Sequence, residues 1–257
     1  MKNFDYNRFL QTLKWNIITE KKTMLTHTLA FVVGFLIIQG LYILIVNMFR
    51  NPGPKSVEIG MMMSISMVFV LVYYYASGIL GNGRTKEQRT TVLMLPASNA
   101  EKYCARLVYV LVFIPLLVIA ALIVATLLRM GIQLLLGHDY IVFGLDFLMD
   151  DGGFGFLDTL SSHLFSVSIF VLGGVLFRKH PFIWTCVSTM AILFIIALVM
   201  GLIVKLCLPT HMYVHVEADF PRAVGYVLAA VVMVFNFWFS YRLFRRLQLV
   251  QHKWFNV

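Results

Sequence analysis

The sequence predicts an all-α integral membrane protein: six transmembrane helices, an N-terminal amphipathic interfacial helix, and both termini cytoplasmic. Three observations lead there. First, 60% of the 257 residues are hydrophobic and only 13% are charged, whereas soluble domains carry roughly 45–50% apolar and about 25% charged residues. Second, the apolar residues fall in blocks of about 20, the length needed to cross a hydrocarbon layer ~30 Å thick. Third, the blocks lack the alternation of polar and apolar residues that marks barrel strands. A backbone at that depth must satisfy its own hydrogen bonds, so the blocks are helices.

The elements follow in order. Residues 1–24 form the interfacial helix: Tyr6, Phe9, Leu10, Leu13 and Ile17 share one helical face, while Arg8, Gln11 and Thr12 lie away from it. This segment is too polar, and the apolar run after it too long, for a cleaved signal peptide. The spans are residues 25–49, 57–80, 103–128, 159–177, 182–206 and 223–244. Pro115 is expected to kink the third span. Gly173 and Gly174 permit a close helix approach in the fourth. The three cysteines, Cys104, Cys186 and Cys207, are odd in number and far apart, so they form no disulfide framework and read as small core residues.

The net charge of +9 does not point to nucleic acid here. With both termini inside, the inner segments hold sixteen of the 21 Lys and Arg, the bias that sets membrane orientation. Five of those sixteen lie between Arg84 and Arg106, in the loop joining spans two and three. That loop has internal structure. Residues 86–94 suit a short helix carrying Val92 and Leu93, and Pro96 disfavours helix at Leu95. Ser98 and Glu101 then have capping-box spacing, so a new helix starts there and becomes span three. The loop is built as a docking segment for a cytoplasmic partner.

Catalytic chemistry is sparse. His163 in span four and Asn236 in span six are the deep polar side chains, readable as cavity-lining groups or as interhelical hydrogen-bond partners. His211, His215, Glu217 and Asp219 alternate in an outer loop and have metal-ligand chemistry, but no spacing fixes a geometry, and a solvated polar loop accounts for them. Gly152-Gly153-Phe154-Gly155 follows no strand, and no phosphate-binding Gly-x-x-x-x-Gly-Lys-Ser/Thr run is present. The chain is expected to bind no metal or cofactor itself; ATP and magnesium, if used, belong to another chain.

The plan of an amphipathic first helix, six spans and a structured inner loop between spans two and three resembles the ABC-2 type transporter permeases. The local match is Thr90-Thr91-Val92-Leu93-Met94-Leu95-Pro96-Ala97-Ser98-Asn99-Ala100-Glu101-Lys102. The leader NRFLQTLKWNIITEKK and the turn Phe177-Arg178-Lys179-His180-Pro181-Phe182 are similar to permeases of the Bacteroides group. Where the family often carries Gly-Thr-x-Glu, this chain has Arg89-Thr90-Thr91-Val92. The resemblance implies the membrane subunit of an exporter in a bacterial cytoplasmic (inner) membrane. Its partners would be a separate ABC ATPase subunit that hydrolyses ATP, and a second permease copy or a paralogue. Residues 84–102 would be the coupling loop, with Arg84, Glu87, Arg89 and Thr90 meeting the ATPase, Leu93 as an apolar anchor and Pro96 as the break behind them. Two other classes stay open at this point: a non-transporting membrane protein with an immunity, sensor or scaffold role that binds a partner through the same loop, and an intramembrane enzyme using His163.

Overall fold

The computed structural model describes residues 4–49, 54–80, 94–135, 156–177, 179–207 and 222–246. Every element in that set is a helix. They are α1 (Tyr6–Phe49), α2 (Pro54–Ser77), α3 (Asn99–Val108), α4 (Ile114–Leu135), α5 (Phe156–Leu176), α6 (Pro181–Cys207) and α7 (Arg222–Arg245). A π-helical turn, Tyr109–Phe113, joins α3 to α4, so Asn99–Leu135 is one continuous helical stretch. Six of the resulting helices are long and apolar enough to cross a membrane.

The first helix differs from expectation. No boundary falls near residue 24: α1 is a single helix of 44 residues. At about 1.5 Å per residue it is about 66 Å long, twice the hydrocarbon thickness. The chain from Tyr6 to Phe49 contains no proline, so nothing breaks the backbone ladder. The amphipathic pattern is real, but the side that meets the bundle straddles its two faces. Thr12 and Asn16, on the polar side, are buried, whereas Tyr6 and Leu10 of the apolar face are exposed. Leu13 and Ile17 sit at the border and pack against the core. The N-terminal half of α1 therefore packs through Thr12 and Asn16 together with Leu13 and Ile17, while Tyr6, Leu10 and Gln11 turn outward.

The core lies along α2, against α4 on one side and α5 on another. Val72 and Ala76 of α2 with Ile79 of the turn after it, Val118, Ala121 and Ala125 of α4, and Val167, Val171 and Val175 of α5 are buried at three- and four-residue spacing. Small and β-branched side chains at such positions let helix axes approach in a lipid environment. Gly174 takes this furthest. A Cβ there would stand 2.5 Å from the Ser77 carbonyl oxygen, so only glycine fits. Gly173 faces Thr185 in the same way, its missing Cβ lying 1.9 Å from the hydroxyl. The close approach expected at this pair is present.

Pro115 acts through the π-helical turn before it. Proline offers no N–H to the preceding turn, and the ladder widens so that the Ile114 N–H reaches the Tyr109 carbonyl. Helix α6 contributes little to the core. No residue in its most apolar stretch is buried, and Met190, Phe194 and Ile195 are all more than half exposed. A helix that is apolar all round and uncovered has lipid as its solvent. The cysteines depart from the core reading: Cys104 is exposed on α3 and Cys186 is partly exposed on α6, because α3 and α6 turn those faces outward.

Candidate functional site

The structured part of the inner loop begins at Met94. Leu95 to Ala97 bend, with the Ala97 N–H bonded to the Leu95 carbonyl at 2.8 Å, and Pro96 is exposed at that bend. Ser98 is extended (φ −69°, ψ 157°) and caps α3. Its hydroxyl accepts from the Glu101 N–H at 3.3 Å, and Glu101 Oε2 accepts from the Ser98 N–H at 2.7 Å. The expected capping box is thus formed.

Glu101 does more than cap. Its other oxygen, Oε1, accepts from the Asp5 backbone N–H at 2.8 Å and lies 3.3 Å from the Arg8 guanidinium. The carboxylate is fully buried. Asp5 in turn starts α1: its side chain accepts from the Asn7 N–H at 2.9 Å and pairs with Arg8 at 3.4 Å. One buried carboxylate therefore ties the start of α1 to the start of α3, and so to the end of the inner loop. A carboxylate accepting two N–H groups and facing a guanidinium is a strong junction, since bonds to charged groups contribute about 1.5–3 kcal/mol each.

About a turn and a half further along α3, Arg106 repeats the theme. Its Nη1 pairs with Glu20 of α1 at 2.7 Å, and its Nε donates to the Ile79 carbonyl at the end of α2 at 2.9 Å. Its guanidinium also stacks over the Tyr109 ring, 5.1 Å from the centroid. Among the described residues no other group donates to the Ile79 carbonyl, which lies in the turn after α2 ends at Ser77. Arg106 thus fastens three elements: α1, the end of α2 and α3. A cavity of about 340 Å³ opens beside this pair, between α1, α2 and the α3–α4 stretch.

The residues expected at the ATPase contact divide as follows. Arg84, Glu87, Arg89, Thr90 and Leu93 lie outside the described residues, as do His211, His215, Glu217 and Asp219. Pro96 is at the bend leading to the Glu101 junction. His163 and Asn236 both make interhelical hydrogen bonds: His163 Nδ1 meets the Tyr73 hydroxyl of α2 at 3.2 Å, and Asn236 Nδ2 donates to Ser168 Oγ of α5 at 3.1 Å. Neither lines the α1–α2–α3 cavity or the crevice between α5 and α7. Their geometry is that of helix-to-helix fasteners. Among the described residues no three His, Cys, Asp or Glu side chains gather in a way that would hold a metal ion.

The Glu20–Arg106 pair was not anticipated. The available signal was Arg106 itself, a guanidinium inside a predicted span, where a charge demands a partner. Its partner stands 86 positions earlier, and only packing brings the two together. No family model, curated protein or solved structure matches the chain.

Proposed function

We infer that this chain is the membrane subunit of an ABC-2 type exporter, moving its substrate when a separate ATPase hydrolyses ATP. The observation that carries the reading is the Glu101 junction. A force on the loop ahead of Pro96 reaches a capped helix start whose carboxylate also holds the first helix. The last turn of α3 is fastened in addition, at Arg106, to α1 and to the end of α2. A partner that grips residues 84–93 would therefore displace two spans together instead of merely bending a linker. Six membrane-length helices and the absence of a phosphate-binding motif from the sequence support the same division of labour. The cytoplasmic placement of this end rests on the distribution of Lys and Arg.

The test is co-purification of the chain with an ATPase encoded beside it, followed by charge reversal at Arg84→Glu and Arg89→Glu. The reading expects loss of the complex or of substrate-coupled ATPase activity. An intact complex with unaltered activity would sink the coupling role. Failure to recover any ATPase, with normal assembly of the chain, would favour a scaffold or immunity protein instead.

A further inference from the structure

We propose that the cavity between α1, α2 and the α3–α4 stretch binds the headgroup of a zwitterionic phospholipid with a primary ammonium, of the phosphoethanolamine type. The site needs no ATPase and does not depend on the transport reading.

The cavity is graded from charged to apolar. At one end stand Glu20 and Arg106, paired at 2.7 Å, with the Tyr109 hydroxyl hydrogen-bonded to Glu20. At the other end stand Phe31, Ile114 and Val118. Eleven residues of α1 separate Glu20 from Phe31, a rise of about 16 Å. This is the polarity gradient of a membrane interface, running in one direction along the helix. The charged end also lies among aromatic residues typical of the headgroup boundary, Tyr74, Tyr75 and Tyr109. The mouth opens sideways: Thr23 and His27 line the cavity and are exposed on the outer face of α1. Beside that mouth Leu25, Leu29 and Val33 present apolar side chains outward, each more than half exposed. A lipid could therefore place its headgroup inside and its chains along α1.

Charge selects the headgroup. The wall carries one carboxylate and one guanidinium that already neutralise each other, so a singly charged ligand would be attracted by one and repelled by the other. A zwitterion satisfies both. Arg106 donates Nε to Ile79, while its Nη1 faces Glu20 as an ion pair and is buried without a hydrogen bond, which leaves the guanidinium short of an acceptor such as a phosphate oxygen. Glu20 calls for N–H donors, and the Tyr75 ring, which lines the same cavity, suits a cation. A primary ammonium supplies three N–H groups; a quaternary one supplies none. The volume of about 340 Å³ is at the small end of ligand pockets, which run to about 1,000 Å³, so it accepts a headgroup and not a whole lipid.

The experiment uses the full chain, purified in mild detergent and returned to vesicles of equimolar phosphatidylethanolamine, phosphatidylcholine and phosphatidylglycerol, with retained lipid read by native mass spectrometry. The result expected is at least tenfold enrichment of phosphatidylethanolamine over each of the others. Thr23→Trp, which plugs the exposed mouth and leaves the ion pair intact, should abolish the enrichment. Glu20→Gln should remove the preference over phosphatidylglycerol. Soluble glycerophosphoethanolamine should compete weakly, because it lacks the chains; full competition would reassign the site to a free phosphoester. Retained lipid that mirrors the vesicle mixture, or equal enrichment in Thr23→Trp, overturns the proposal. So does a wild-type dimer that Thr23→Trp dissociates, since a second copy would then cover the mouth.

Discussion

Replacing Glu101 by alanine removes three contacts at once. The Ser98 N–H at 2.7 Å, the Asp5 N–H at 2.8 Å and the Arg8 guanidinium at 3.3 Å lose their acceptor, the first of these being the reciprocal half of the α3 cap. Hydrogen bonds to a charged group contribute about 1.5–3 kcal/mol each, and loss of a cap costs about 0.5–2 kcal/mol. The sum overstates the effect, because both N–H groups are only part-buried and regain water, and Arg8 keeps Asp5. A net local cost of about 3 kcal/mol remains, a change of about two orders of magnitude in the opening equilibrium. Hydrogen exchange of the backbone amides in a lipid nanodisc reads this locally. Exchange at Asp5 and Ser98 should quicken about a hundredfold, while amides in the α2–α4–α5 core stay unchanged. Glu101→Gln keeps one acceptor oxygen and should show about a tenfold change. If the Asp5 and Ser98 amides exchanged within about threefold of wild type, Glu101 would not be the junction described.

Three further outcomes follow from packing. Gly174→Ala drives a Cβ to 2.5 Å from a backbone oxygen of α2, so the two helices must separate, and overpacking of this kind costs about 1–3 kcal/mol; its melting temperature should fall, whereas Gly201→Ala, with nothing within 4 Å, should leave it unchanged. Arg106→Ala strands Glu20 and the Ile79 carbonyl, and breaking a largely buried pair costs about 3–5 kcal/mol; adding Glu20→Gln should restore part of the lost stability, and a double variant no better than the single one would refute mutual dependence. Asn236→Ala and Ser168→Ala each remove one side of the same interhelical bond, typically about 0.6 kcal/mol in a membrane; the double variant should be no less stable than the worse single one, and additive losses would mean the two act separately.

The spans were legible because membrane crossing imposes a length and a composition that a sequence must display. Residues 182–206 read as a span and are seen within Pro181–Cys207; residues 223–244 are seen within Arg222–Arg245. The cap at Ser98 was legible because its two partners are three residues apart. Continuity of α1 was harder to see. The polar stretch Thr19-Glu20-Lys21-Lys22-Thr23 looks like a boundary by hydropathy, yet it holds neither proline nor glycine, and a helix is not broken by polarity alone. That continuity is what carries Glu20 to Arg106. The orientation of the amphipathic helix was hidden for a related reason. Periodicity identifies two faces but not which one meets the bundle, and here Thr12 and Asn16 turn inward. Pro115 announced a disturbance, but whether it bends the axis or widens one turn depends on neighbours far along the chain.

The central claim is that an ATPase grips the inner loop and moves α1 and α3 through Glu101. The direct measurement is a photo-crosslinking amino acid at Thr90, in cells that express the chain with the ATPase encoded beside it, compared with the same probe at Lys205 near the opposite end of the bundle. The account predicts an adduct to the ATPase from position 90, none from position 205, and an adduct that persists in Glu101→Gln while ATP-driven transport falls. No adduct at position 90, or transport at the wild-type rate in Glu101→Gln, would contradict it.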